Sequence, residues 1–277
     1  MRKFNISALA SVIVFVLVMG GFQLVMAQGV VNQTGGPLSE EELLVTRPDA
    51  DQISEDHSAV ETWIVKWYGL DGNYENNGGF GASGPIDLMA AGTRDLITDV
   101  SLSTLDGLLL TKETDVEWPD ENGGTRTWTV FEIDANDGNN MVRGGPADNF
   151  DHYAVIVIDS PDDRTSVMSP AHDDFAQIWI NGEKWYNNSR WTGAAKQVDY
   201  NIEVELQKGA NVLHYRCGEG GGSAYFNLHF DDATHEAVTI YPKDATDQQS
   251  FFEEIEPLTA VEPAGKLTTI WADIKRK

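Results

Sequence analysis

Between His172 and Trp191 the chain reads HDDFAQIWINGEKWYNNSRW, which sets an aspartate pair, an Asn-Gly dipeptide and three tryptophans close together. Indole rings stack on the apolar faces of pyranoses, and neighbouring carboxylates, amides and ammonium groups supply hydrogen bonds, so this composition suits a carbohydrate surface. Asn181-Gly182 between apolar runs is a strong hairpin signal, because a type I′ turn needs positive φ at both central residues. A two-residue loop would pair Ile180 with Glu183, Trp179 with Lys184 and Ile178 with Trp185. Side chains alternate along a strand. Ala176, Ile178, Ile180 and Trp185 are then expected on a core face, with Phe175, Gln177, Trp179, Lys184 and Tyr186 on the other. Lys184 directly across from Trp179 predicts a cation–π contact. Trp191, beyond Asn187-Asn188-Ser189, falls on a loop where its ring is accessible. The candidate ligand-binding residues are Trp179, Lys184, Tyr186 and Trp191. The competing reading is a half-covered sheet with Trp179 packed under a loop and no ligand.

Other constellations carry less. Asp134 to Asn140 (DANDGNN) resembles a calcium loop superficially, but lacks a twelfth-position glutamate and flanking helices, and reads as an Asp/Asn/Gly turn. The six histidines show no spacing used for zinc. No Gly-x-Ser-x-Gly elbow exists, Cys217 has no evident base, and the glycines at 218–222 lack the Lys-Ser/Thr of a phosphate loop. A glycoside hydrolase needs two carboxylates at a defined separation, and among 44 acidic residues no pair is marked out. The expectation is a carbohydrate-binding protein without catalytic residues, with a cell-envelope structural or protein-interaction module that takes no small ligand as the alternative and a glycoside hydrolase as the remote one.

The elements that would position these residues are strands. Thr62–Tyr68, Thr127–Asp134, Thr165–Ser169, Asn211–Cys217 and Ala224–Phe230 are rich in β-branched and aromatic residues and bounded by turn residues. Tyr153–Asp159 is continuously apolar, as in a strand buried on both faces. Tyr200–Leu206 alternates, with Tyr200, Ile202, Val204 and Leu206 on one side. Residues 69–95 read as a long Gly-rich loop with a helical turn at Ile86–Ala91. Helical periodicity is nearly absent from 60 to 240, so the expected fold is all-β, an antiparallel sandwich of jelly-roll type.

Around that domain, placed at 61–232, lie segments of other texture. Residues 1–27 read as an export signal: Arg2 and Lys3, an apolar run, then small residues before Gln28. An uncleaved anchor is the alternative. Residues 28–60 form an acidic leader with a short helix expected at Ser39–Leu44. Residues 233–277 form a linker and tail whose Leu267, Trp271 and Ile274 sit at helical spacing before Lys275-Arg276-Lys277. Net charge is −25, and −27 without Arg2 and Lys3. Such a field repels phosphate backbones and argues against nucleic acid, while clustered carboxylates can collect divalent cations. One cysteine excludes a disulfide framework. No membrane association is expected after signal removal, and the location is secreted, periplasmic or cell surface.

Taken in order, Asp173-Asp174, Trp179-Ile180-Asn181-Gly182, Lys208-Gly209-Ala210-Asn211 and Tyr225-Phe226 resemble the non-catalytic β-sandwich modules of secreted bacterial proteins, related to galactose-binding-like and protective-antigen-type domains. The resemblance spans about residues 60–230. It implies a sandwich; such modules host sugar binding, protein docking and plain spacing. In the lectin members an Asp-Asp pair binds Ca²⁺, which in turn binds sugar hydroxyls; Asp173 and Asp174 occupy the analogous place, and Ca²⁺ is the one cofactor implied. His172 stands where a small residue is typical. Two kinds of partner follow as expectations: a polysaccharide or glycan, or an envelope protein docking on the C-terminal tail.

Overall fold

The computed structural model describes residues 31–33, 37–38, 54–143 and 145–259. The export signal, the Ser39–Leu44 helix and the 264–277 helix all lie outside the described residues. The principal strands, in chain order, are β1 Val31–Gln33, β2 Lys66–Leu70, β3 Trp128–Glu132, β4 Phe150–Ser160 and β5 Arg164–His172. They continue with β6 Phe175–Ile180, β7 Glu183–Asn188, β8 Asn201–Leu206, β9 Gly209–Glu219 and β10 Phe226–Phe230. A larger sheet has the order β7-β6-β9-β4-β2-β3, with Tyr74–Glu75 and Thr239–Tyr241 also pairing β4; a smaller one has the order β1-β8-β5-β10. All these pairings are antiparallel except β1 with β8. The chain is mostly β, as its sequence texture predicts.

The two sheets share one apolar core. Ile156, Ile178 and Tyr215 from the larger sheet meet Met168, Ile202, Val204, Phe226 and Leu228 from the smaller. Each such side chain contributes about 1.5–3 kcal/mol by leaving water. On β8 the alternation works as expected: Ile202 and Val204 are buried while Glu203 and Glu205 are exposed.

The other face of the larger sheet is buried too, against helices. Within the stretch 69–95 read as a Gly-rich loop, and just beyond it, four short helices form: α1 Phe80–Ser83, α2 Leu88–Thr93, which overlaps the helical turn expected at Ile86–Ala91, α3 Asp99–Leu102 and α4 Leu105–Leu110. Each spans at most six residues, too short to leave a helical period in the sequence. Caps rather than periodicity start them. Asp87 and Thr104 accept amide hydrogen bonds as N-caps, and Thr98 with Ser101 forms a capping box. Leu88, Met89, Leu102 and Leu108 pack on Tyr153, Val155 and Val157 of β4, and the helix Gln248–Thr259 adds Phe251, Phe252 and Ile255. This explains why β4 is apolar without alternation: its even residues enter one core and its odd residues the other. Gly69 on β2 permits that close sheet, since a Cβ there would lie 2.3 Å from the Tyr153 carbonyl oxygen. Among the described residues no helix is long and apolar enough to cross a membrane.

The β6–β7 hairpin forms with Asn181 at φ 54° and Gly182 at φ 84°, and Ile180↔Glu183 and Trp179↔Lys184 pair in the expected register. The register then slips at a bulge, so that Tyr186, not Trp185, lies opposite Ile178. Trp185 and Tyr186 both enter the inter-sheet core. Tyr186 is therefore not on the outward face: it is fully buried, with its hydroxyl 2.8 Å from His172 Nε2.

Candidate functional site

Three carboxylates converge where β5, β6 and β9 end. Asp173 and Asp174 form the tight link between β5 and β6, joined by a cis peptide. The backbone fixes them: Asp173 N donates to the Tyr225 carbonyl at 2.9 Å and Asp174 N to that of Gly218 at 3.0 Å. The third member is Glu219, the last residue of β9. One oxygen from each of the three lies within 4.8 Å of the others. Asp174 Oδ2 accepts from the Gly220 amide at 3.0 Å, but the Glu219 side chain is fully buried and neither of its oxygens has a hydrogen-bond partner in good geometry.

The electrostatics follow from this crowding. Burial, then the hydrogen bond and charge of Asp174, push the Asp173 carboxyl up to about 7. Burial, then the charges of Asp174 and Asp173, push Glu219 up to about 8, with the Gly221 amide offsetting a part. Among the described residues no cation pairs with any of the three. Hard carboxylate oxygens in such a cluster suit Ca²⁺, which takes six to eight oxygens from carboxylates, carbonyls, waters or ligand hydroxyls. Three carboxylates supply up to six oxygens when bidentate.

The loop carrying Trp191 is tied to the same rim. Thr192 N donates to the His172 carbonyl at 2.9 Å, one residue before Asp173. Trp191 itself is 48% exposed, as a stacking platform requires. His172 is fully buried, and that burial lowers its imidazole to about 3, so it stays neutral beside the acids.

Trp179 and Lys184 lie elsewhere, on the outward face of the larger sheet. The Lys184 ammonium sits 5.1 Å over the Trp179 ring, the contact expected from their pairing. Trp179 is only 2% exposed, and its ring stacks on His214 at 5.2 Å, which stacks on Tyr153 at 5.7 Å. Its faces are thus engaged inside the protein, and only part of the indole borders a cleft between this sheet and helices α1–α3. At the cleft floor Arg216 is buried and saturated. It donates to Asp151 Oδ1 through Nε and Nη2 at 3.1 and 2.9 Å, to Asp99 Oδ2 at 3.1 Å, and to the carbonyls of Ser83 and Ile86 at 2.8 Å each. Burial alone would raise the Asp99 carboxyl; Arg216 and His214 outweigh it and hold it below the ordinary value.

The residues singled out in the sequence are therefore divided. Asp173, Asp174 and the Trp191 loop gather at the rim, Trp179 and Lys184 border the cleft, and Tyr186 is core. Glu219 was missed by sequence reasoning. Its signal is positional: Leu213, Tyr215 and Cys217 alternate into the core, and Glu219 continues the same row as a carboxylate.

No family model matches the chain, and no curated protein matches it. One similar solved structure is an anti-sigma factor domain-containing protein from Clostridium clariflavum, 12% identical, with a TM-score of 0.31. The likeness covers 43% of this chain and 42% of that chain, so it spans less than half of either. A likeness that low identifies neither a fold family nor an activity.

Proposed function

We propose that the chain is an exported, non-enzymatic β-sandwich module of jelly-roll type that binds carbohydrate through Ca²⁺. Asp173, Asp174 and Glu219 hold the ion, and the exposed ring of Trp191 stacks on the sugar. The observation that carries this reading is Glu219: a fully buried carboxylate, with no hydrogen-bond partner in good geometry and only the Gly221 amide to offset its charge, facing two other carboxylates. A divalent cation would replace three mutual repulsions by three attractions and satisfy the orphaned oxygens. Sugar hydroxyls then complete the coordination shell, which links ion and glycan in one event.

Hydrolysis is the weaker reading. Glycosidases place their two carboxyl groups about 5–5.5 Å or 6.5–9.5 Å apart beside a substrate cleft. Here one oxygen from each of three acids lies within 4.8 Å of the others, a convergence on one point that suits coordination better than two groups flanking a substrate.

Calorimetric titration with CaCl₂, followed by glycan-array binding with and without EDTA, tests the proposal. Wild-type protein should bind one ion and lose the Ca²⁺-dependent part of its glycan signal in EDTA; Asp174→Asn and Glu219→Gln should each abolish ion binding. Glycan binding that persists unchanged in EDTA, or no heat of Ca²⁺ binding at pH 8, overturns it.

A further inference from the structure

The cleft under α1–α3 is lined from the outward face of the larger sheet by Phe175, Gln177, Trp179 and Arg216, and none of the three rim carboxylates lines it. Its volume is about 480 Å³, within the range of roughly 300–1,000 Å³ used by small-molecule sites. The charges along it are already matched. Arg216 is divided between Asp151 and Asp99, the Asp87 carboxylate caps α2 and accepts the Asp99 amide, and the Lys184 ammonium lies over Trp179. A charged ligand would meet no spare counter-ion among these groups.

What the walls leave over is neutral hydrogen-bonding capacity. Of the lining residues, Trp179 Nε1 is buried without a hydrogen-bond partner, and so is Asp99 Oδ1. Asp99 Oδ1 and His214 Nε2 stand 3.6 Å apart, beyond hydrogen-bond length. Native proteins leave few such atoms, and two on residues lining one cleft call for a ligand or water to meet them. Opposite, Phe80 stacks on Phe175 at 5.8 Å and the half-exposed Ile86 extends the apolar wall.

We infer that this cleft binds a neutral, polyhydroxylated ring of the pyranose or cyclitol class. The Trp179 indole N–H donates to one ligand hydroxyl, another hydroxyl donates to Asp99 Oδ1, and the C–H face of the ring lies on Phe80 and Phe175. This site needs no metal and does not rest on the cation-site reading.

The test is calorimetric or ligand-observed NMR titration with glucose, galactose, N-acetylglucosamine and myo-inositol, all in EDTA so that the rim is silent. At least one probe should bind saturably. Trp179→Phe, which keeps a ring and deletes the donor, should weaken that binding about tenfold. Ile86→Trp, at an exposed position, should block it without affecting folding, and Glu219→Gln should leave it unchanged. Failure of every probe to bind wild-type protein in EDTA, or undiminished binding by folded Ile86→Trp, overturns the inference. Neither result bears on Ca²⁺ binding at the rim.

Discussion

Two groups of buried acids sit at different places along β9, and they differ in one respect. Around Arg216, the carboxylates of Asp151 and Asp99 are matched by a guanidinium that also bonds two carbonyls of the helical cap. Around Glu219, three carboxylates face one another, and among the described residues no cation pairs with them. The first group holds Asp99 below the ordinary carboxylate value; the second drives Asp173 to about 7 and Glu219 to about 8. Burial of charge is thus not itself a mark of function. Compensated charge fastens one element to another, and uncompensated charge is what the proposed Ca²⁺ would neutralise.

The comparison is broken most directly at Arg216. Replacing it by Met strands two buried carboxylates, and loss of one partner from a buried pair costs about 3–5 kcal/mol. Urea denaturation of Arg216→Met should reveal a loss of that size, with α1–α3 the first segment to gain hydrogen exchange. A near-neutral result would mean that apolar packing alone holds the cap.

Glu219→Gln should act in the opposite direction. In EDTA at pH 9, where Glu219 is ionised, it removes a repulsion, so the melting temperature should rise by roughly 2–4 °C per kcal/mol relieved. With millimolar CaCl₂ the wild type should overtake it. A variant less stable than wild type in EDTA would show that Glu219 is held by contacts other than those at the rim.

The pH dependence sharpens the same contrast. Asp173 and Glu219 have ordinary values of 3.8 and 4.5 and native values of about 7 and 8. Carboxyls raised on folding favour the native state while protonated, below the ordinary values, and that contribution is lost as pH climbs to 8. In EDTA the melting temperature should therefore fall between pH 5 and pH 8. Ca²⁺ binds only the ionised acids, so its stabilising shift should be larger at pH 8 than at pH 5. An equal shift at both values would remove the rim carboxylates from the ion's coordination.

The smallest effect on stability is expected at Trp191. Trp191→Ala should change unfolding free energy by about 0.5 kcal/mol or less, as exposed positions do, yet weaken glycan binding severalfold while leaving the Ca²⁺ affinity alone. Unchanged glycan affinity would remove the ring from the site.

Local rules made part of this legible. Asn181-Gly182 announces a hairpin because few residues tolerate positive φ, and the first two pairs follow from loop length. The alternation of Tyr200 to Leu206 and the unbroken apolar run of β4 read correctly as one-sided and two-sided burial. Legibility ended at Trp185, where one extra residue in the strand turned Tyr186 inward and took it out of the candidate site. The helical cap was also hidden, because α1 to α4 are started by caps and held by packing on β4, and neither leaves a period. Trp179 was ambiguous for a related reason: its neighbours on the outward face, His214 and the helices, are distant in sequence.

Sequence alone determined the β character, the hairpin, the acidic charge and the adjacency of Asp173 and Asp174, because each depends on residues within a few positions of one another. Only the tertiary structure decided that Glu219 joins the aspartates, that Arg216 neutralises Asp99 across 117 positions, and that Tyr186 lies in the core. These depend on strand register and sheet order, which bring side chains together through space by the summed packing of two cores and not by any local preference.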